Sequence, residues 1–114
     1  MKEETLEILK ENNLTEKDVL WCGSQEFGWF TWEDFLKVAP EDYDSGLGGQ
    51  EIAKDFLIVG EDWWLERHEY DGSEWWEFKK LPKKPEKYNK PTTIMNGDYY
   101  ATLVEMNREG GKYI

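Results

Sequence analysis

The chain holds one cysteine, Cys22, and one histidine, His68, and these scarcities exclude whole classes of chemistry. A lone Cys forms no intramolecular disulfide, and one Cys and one His far apart in sequence do not make a zinc site. Cys22 lies between Trp21 and Gly23 on an expected strand, where burial leaves it inert, because reactive thiols need an open, electropositive setting. No apolar segment is long enough for a signal peptide or a membrane span, so a cytoplasmic protein is expected. Bases are scarce too: 14 Lys and Arg stand against 25 Asp and Glu, for a net charge of -11. Such a surface repels nucleic acid and anionic membrane, and neither is expected as a direct partner. No segment has the spacing of an activated nucleophile, a metal cage or a phosphate loop. No catalytic residue, metal or cofactor is therefore expected, and the chain reads as a non-enzyme.

What is present is aromatic and acidic. Aromatic residues make up 16% of the chain and hydrophobic residues 39%, enough for a core and unlike disordered acidic sequences. A chain of 114 residues suits a single domain, 1–114, around one core. The charge is unevenly spread: residues 1–78 hold 21 acids and 6 bases, whereas residues 79–114 hold 4 acids and 8 bases.

Leu6 and Leu9 at helical spacing predict an amphipathic helix over 3–12, ended by Asn12-Asn13. Thr15 and Asp18 form a capping box for one further turn, and Val19–Cys22 and Phe27–Phe30 read as paired strands. Thr31 caps a helix in which Trp32, Phe35, Leu36 and Ala39 share a face, and Pro40 ends it. A Gly-rich acidic loop over 41–49 follows, then one helical turn over 50–54. The apolar run Phe56-Leu57-Ile58-Val59 reads as a central strand buried on both faces. Residues 79–91, rich in Lys and Pro, form an extended basic strap, and Asn96 caps a last helix over 97–108. The architecture expected is α+β: an antiparallel sheet of four or five strands with a Trp-rich hairpin, packed by two or three short helices, those over 32–39 and 97–108 lying against one face.

That hairpin holds four of the seven Trp and turns through Tyr70-Asp71-Gly72. Glu66, His68 and Tyr70 alternate with Leu65, Arg67 and Glu69, so the two sets occupy opposite faces. A type I turn with a bulge at Gly72 sets Arg67 against Trp75, His68 against Glu74 and Glu66 against Trp76. Cross-strand charge and cation–aromatic pairing then account for these residues without catalysis.

Two loop motifs are weaker than they look. Glu41-Asp42-Tyr43-Asp44-Ser45-Gly46 lacks the Glu that a calcium loop carries at its twelfth position, which here is Ala53. Gly46-Leu47-Gly48-Gly49 lacks the lysine of a phosphate loop and is flanked by acids that repel anions. The carboxylates themselves are the stronger candidates. Two all-acid strands would carry one charge per about 3.3 Å, against one per about 1.7 Å of duplex, so the hairpin needs help from the 41–44 loop to imitate nucleic acid. The expected partner-binding set is Glu41, Asp42, Asp44, Glu61, Asp62, Trp63, Glu66, Glu69, Asp71, Glu74, Trp76 and Glu77, with the Trp residues as anchors.

The segment from Asp62 to Trp76, with Tyr43-Asp44-Ser45-Gly46 and Gln50-Glu51-Ile52, resembles small acidic proteins of phages and prophages of Gram-positive bacteria. The resemblance covers about half the chain. It implies an inhibitor of a bacterial defence system, in the manner of anti-CRISPR proteins. The partner it implies is a CRISPR effector or another nucleic-acid-binding protein with a cationic groove. The competing expectation is a structural or assembly module, such as a homodimer, in which the Trp residues fill a core or an interface and the charge confers solubility.

Overall fold

Asp71 and Gly72 set the register of the hairpin. Both take positive φ, 52° and 87°, and close β4 (Trp63–Tyr70) onto β5 (Ser73–Lys80) through a two-residue turn with Tyr70 opposite Ser73. This is the type I′ geometry that Asp-Gly favours, whose twist matches that of the strands without a bulge. It corrects the expected pairing by one position: Arg67 lies opposite Trp76, His68 opposite Trp75 and Glu66 opposite Glu77. A slip of one residue exchanges the faces of a strand, so the correction decides which side chains of β5 point inward.

The computed structural model describes residues 1–43, 49–95 and 100–107, in two compact units, Met1–Pro82 and Lys83–Ile114. In the first, β1 (Trp21–Ser24), β2 (Gly28–Phe30) and β3 (Leu57–Val59) join the hairpin in an antiparallel sheet of five strands, ordered β2-β1-β3-β4-β5. With α1 (Lys2–Glu11) and α2 (Trp32–Val38) it has the expected α+β class. Cys22, Ile58 and Leu65 stand side by side in register and are fully buried on one face. Both helices cover that inner face, α1 with Thr5 and Leu9, α2 with Trp32 and Phe35. The Phe56 ring joins them, 5.6 Å from Phe35 and 5.5 Å from Trp76. Each large apolar side chain buried here contributes about 1.5–3 kcal/mol.

Both capping boxes of this unit form as the sequence pattern predicts, Thr15 with Asp18 on a single 3-10 turn and Thr31 with Asp34 on α2. Two expectations need correction. In β3 only Ile58 is fully buried, because Leu57 and Val59 point to the other face, which among the described residues of this unit no helix covers. Residues 50–54 make no helix; the N–H groups of Glu51 and Ile52 instead reach the Glu74 carboxylate. Residues of α1 and α2 belong to one core cluster.

In the second unit residues 83–92 are exposed and lie in neither helix nor strand, while Lys79 and Lys80 of the expected strap belong to β5. The last helix, α3, covers Leu103–Met106 and is capped by Thr102 with Glu105; Asn96 and residues 97–99 and 108 of the expected helix lie outside the described residues. Asn107 holds this helix to residues 92–93. Its Oδ1 accepts from the Thr92 and Thr93 N–H groups at 2.7 and 3.1 Å, and its Nδ2 donates to the Thr93 and Leu103 carbonyls.

Two sites make the first unit brittle. Gly23 has φ +141°, and a Cβ there would stand 2.0 Å from the Gly28 carbonyl oxygen across the β1–β2 pair. Gly23→Ala is expected to destabilise the fold by at least about 1–3 kcal/mol, since backbone must move, and urea unfolding will measure it. Beside it, burial and then the nearby Glu33 and Asp34 push the Cys22 thiol from 9.0 up to about 12. The native protein should resist a thiol reagent at pH 8 and react once unfolded. Stability should also fall as pH rises from about 9 to 12, because the unfolded thiol ionises in that range while the folded one does not.

Candidate partner-binding face

The hairpin presents two chemically different faces. On the inner face, Arg67 is fully buried and its guanidinium ties four segments together. Nη2 donates to Glu74 Oε1 at 2.7 Å and to the Tyr43 hydroxyl at 3.2 Å, and Nη1 donates to Glu4 Oε2 at 3.1 Å. The Tyr43 hydroxyl in turn donates to Glu4. The guanidinium lies 4.8 Å from the centre of the Trp76 ring, whose Nε1 donates to Thr5 Oγ1 at 2.9 Å. Burial alone would lower the Arg67 pKa, but Glu74, Tyr43 and Glu4 outweigh it and raise it, so the group stays charged. The Tyr43 hydroxyl is pushed up to about 12, first by burial and then by its bond to Glu4. These groups are neutralised, bonded and enclosed. They hold the fold, with the Arg67 and Glu74 side chains fully buried and Glu4 and Tyr43 half-buried.

The outer face is built from the residues of opposite parity. Across it run Trp21, Val59, Trp64 and Lys79 in one register row, and Trp29, Gly23, Leu57, Glu66 and Glu77 in the next. His68 and Trp75 pair beyond them, then Tyr70 and Ser73. Four strand spacings separate Trp29 from Trp75, or about 19 Å. Trp29, Tyr70 and Trp75 are exposed. Each hairpin indole on this face donates to a carboxylate two residues along the same strand: Trp64 to Glu66 and Trp75 to Glu77, both at 2.6 Å. His68 Nε2 meets the other oxygen of Glu66 at 2.7 Å. The Trp64 bond first, and then His68, hold the Glu66 carboxyl below its ordinary pKa, so it is ionised through the neutral range.

The structure divides the expected binding residues. Glu66 and Glu77 are half-buried on the outer face, and Glu69 and Asp71 are exposed at the hairpin tip. Glu61 and Asp62 are exposed at the opposite end of β4, about 30 Å from Asp71 by strand length. Tyr43, bonded to Arg67, brings the exposed Glu41 and Asp42 toward the hairpin, while Asp44 lies outside the described residues. Three assignments are corrected. Trp63 and Trp76 are 4% exposed and fill the core, and Glu74 is buried against Arg67. None of the three is open to a partner. The outer face carries the neighbours of those Trp residues instead, half-buried Trp64 and exposed Trp75. The signals for them were Leu65, whose parity turns Trp63 inward and Trp64 outward, and the two-residue Asp-Gly turn, which does the same for Trp76 and Trp75.

No protein-family model matches the chain, and no curated protein and no solved structure matches it. The likeness to phage proteins therefore rests on the quoted segments alone. Among the described residues no three His, Cys, Asp or Glu side chains stand together as a metal site, and no helix is long and apolar enough to cross a membrane.

Arg67→Ala should destabilise the protein by about 3–5 kcal/mol, because it leaves the buried Glu74 carboxylate without its cation. Glu74→Gln, which keeps one of the two acceptor oxygens that the Glu51 and Ile52 N–H groups use, should cost less than Glu74→Ala. Chemical denaturation of the three variants checks both expectations.

Proposed function

We propose that this is a non-enzymatic binding protein whose outer hairpin face engages a cationic protein surface, of the kind that nucleic-acid-binding machines present. The observation that carries this reading is the direct opposition of Glu66 and Glu77 between two Trp rings. Like charges opposite one another on a sheet cost about 0.2–1 kcal/mol, and among the described residues neither carboxylate forms an ion pair with a Lys or Arg, although Lys79 stands near enough to favour the ionised Glu66. A lysine or arginine from a partner would relieve that repulsion and could stack on Trp75 or Trp64. Charge complementarity and an aromatic anchor would thus coincide in one place. The exposed Glu69 and Asp71 extend the negative potential along the same hairpin. Inhibition of a defence system, as the likeness to phage proteins implies, is one biological form of this reading.

Glu77→Lys separates stability from function. It replaces a repulsive cross-strand pair with an attractive one and gives up the exposed Trp75–Glu77 bond, so it should change stability by no more than about 0.5 kcal/mol. It should also weaken partner binding by an order of magnitude or more. Affinity capture from bacterial lysate at low and high salt, with competing DNA or RNA, supplies the partner for that measurement. A nucleic-acid-binding complex displaced by competitor supports the reading, and unchanged affinity in Glu77→Lys refutes it. If only the protein itself is captured, the assembly module takes its place.

A further inference from the structure

A groove of about 910 Å³ lies between α2, the β1–β2 turn and residues 51–56. Its floor is a run of rings: Phe27 meets Phe30 edge-on at 6.2 Å, Phe30 stacks on Phe56 at 6.0 Å, and Phe56 tilts against Phe35 at 5.6 Å. Val38 and Phe27 stand open on its walls, 74% and 81% exposed. Among the described residues the charged side chains that line it are all acids, Glu26, Glu51 and Asp55. The Met1 amine nearby is turned to the Pro40 carbonyl at 3.5 Å. No residue of this groove takes part in the Glu66–Glu77 cluster of the outer face.

Size and composition set the ligand class. The volume falls in the range of sites that enclose a compact ligand or a few side chains, and the apolar floor supplies most of the binding energy. The acids decide what may stand beside the apolar part. They repel lipid headgroups, phosphates and acidic peptides, and they attract cations, which the negative faces of the four Phe rings also favour. We propose that this groove is a second binding site that takes a bulky apolar side chain flanked by Lys or Arg on a segment of a partner protein. The apolar side chain fills the space over Phe30 and Phe56, while the flanking cations meet Glu26 and Asp55 at the rim. The site does not rest on the reading of the outer face.

Two capped tetrapeptides test this, one with a Phe-Leu centre between two lysines and one with the same centre between two glutamates. Each is titrated into isotope-labelled protein at low salt, with amide shifts as the readout. The basic peptide should shift amides at 26–30, 38 and 52–56, and the acidic peptide should not. Glu26→Lys with Asp55→Lys, both rim substitutions, should weaken the basic peptide about fivefold or more. Phe27→Ala removes an exposed ring that meets the floor at Phe30 and should act in the same direction. Glu77→Lys should leave this binding intact. Equal binding of the two peptides, shifts confined to other parts of the chain, or undiminished affinity in the groove variants would overturn the proposal. Loss of binding in Glu77→Lys would overturn the independence of the two sites.

Discussion

The buried guanidinium of Arg67 is the constraint on which the rest of the first unit depends. A charge taken fully out of water costs several kcal/mol unless every side of it is answered. Here Glu74 answers from β5, Glu4 from α1, and Tyr43 from the segment after α2, while the Trp76 ring covers one face of the plane. Nε alone finds no partner among the described residues. Removing any partner exposes the others to the same cost. Helix, hairpin and loop are therefore coupled through one side chain. The coupling extends further, because the Glu74 carboxylate also holds the Glu51 and Ile52 amides and thereby fixes one wall of the Phe-lined groove.

That constraint explains why the hairpin has two faces of different kinds. Once Arg67 turns inward, alternation sends Leu65 and Trp63 inward with it and leaves Trp64, Glu66 and His68 outside. The partner strand follows through the Asp71-Gly72 turn, burying Glu74 and Trp76 and exposing Trp75 beside Glu77. The most acidic and aromatic stretch of the chain is thus split down its length. Half of it is structural and half is surface.

Local chemistry was readable in advance, and long-range partners were not. Thr15 with Asp18 and Thr31 with Asp34 identified their turns correctly because a capping box is complete within four residues. The stripe Trp32, Phe35, Leu36 and Ala39 identified the buried face of α2 for the same reason. Arg67 meets Glu4, however, across 63 positions, and no spacing rule connects them. The segment 50–54 has helical composition, yet its amides were claimed by a carboxylate 22 and 23 residues away. For the candidate face the deciding error was smaller. A bulged turn and a two-residue turn differ by one position, and that position exchanged Trp75 for Trp76.

The corrected register also changes what kind of recognition the acids can support. Glu61 and Asp62 lie at one end of β4 and Glu69 and Asp71 at the other, with Glu66 and Glu77 between them and Glu74 withdrawn into the core. Over about 30 Å of strand this is sparser than the one charge per about 1.7 Å that a nucleic-acid groove encounters on a duplex. A continuous imitation of a phosphate backbone is therefore poorly served. A compact patch is served better, because Glu66 and Glu77, directly opposed on the outer face, also accept from the two hairpin indoles of that face. Indole bonds to Glu66 and Glu77 fix the rings before any partner arrives, which lowers the conformational entropy lost on binding. The same bonds keep both charges at the centre of an aromatic surface. Affinity on such a face would come from a few desolvated contacts, with the surrounding charge steering the encounter and setting its dependence on salt.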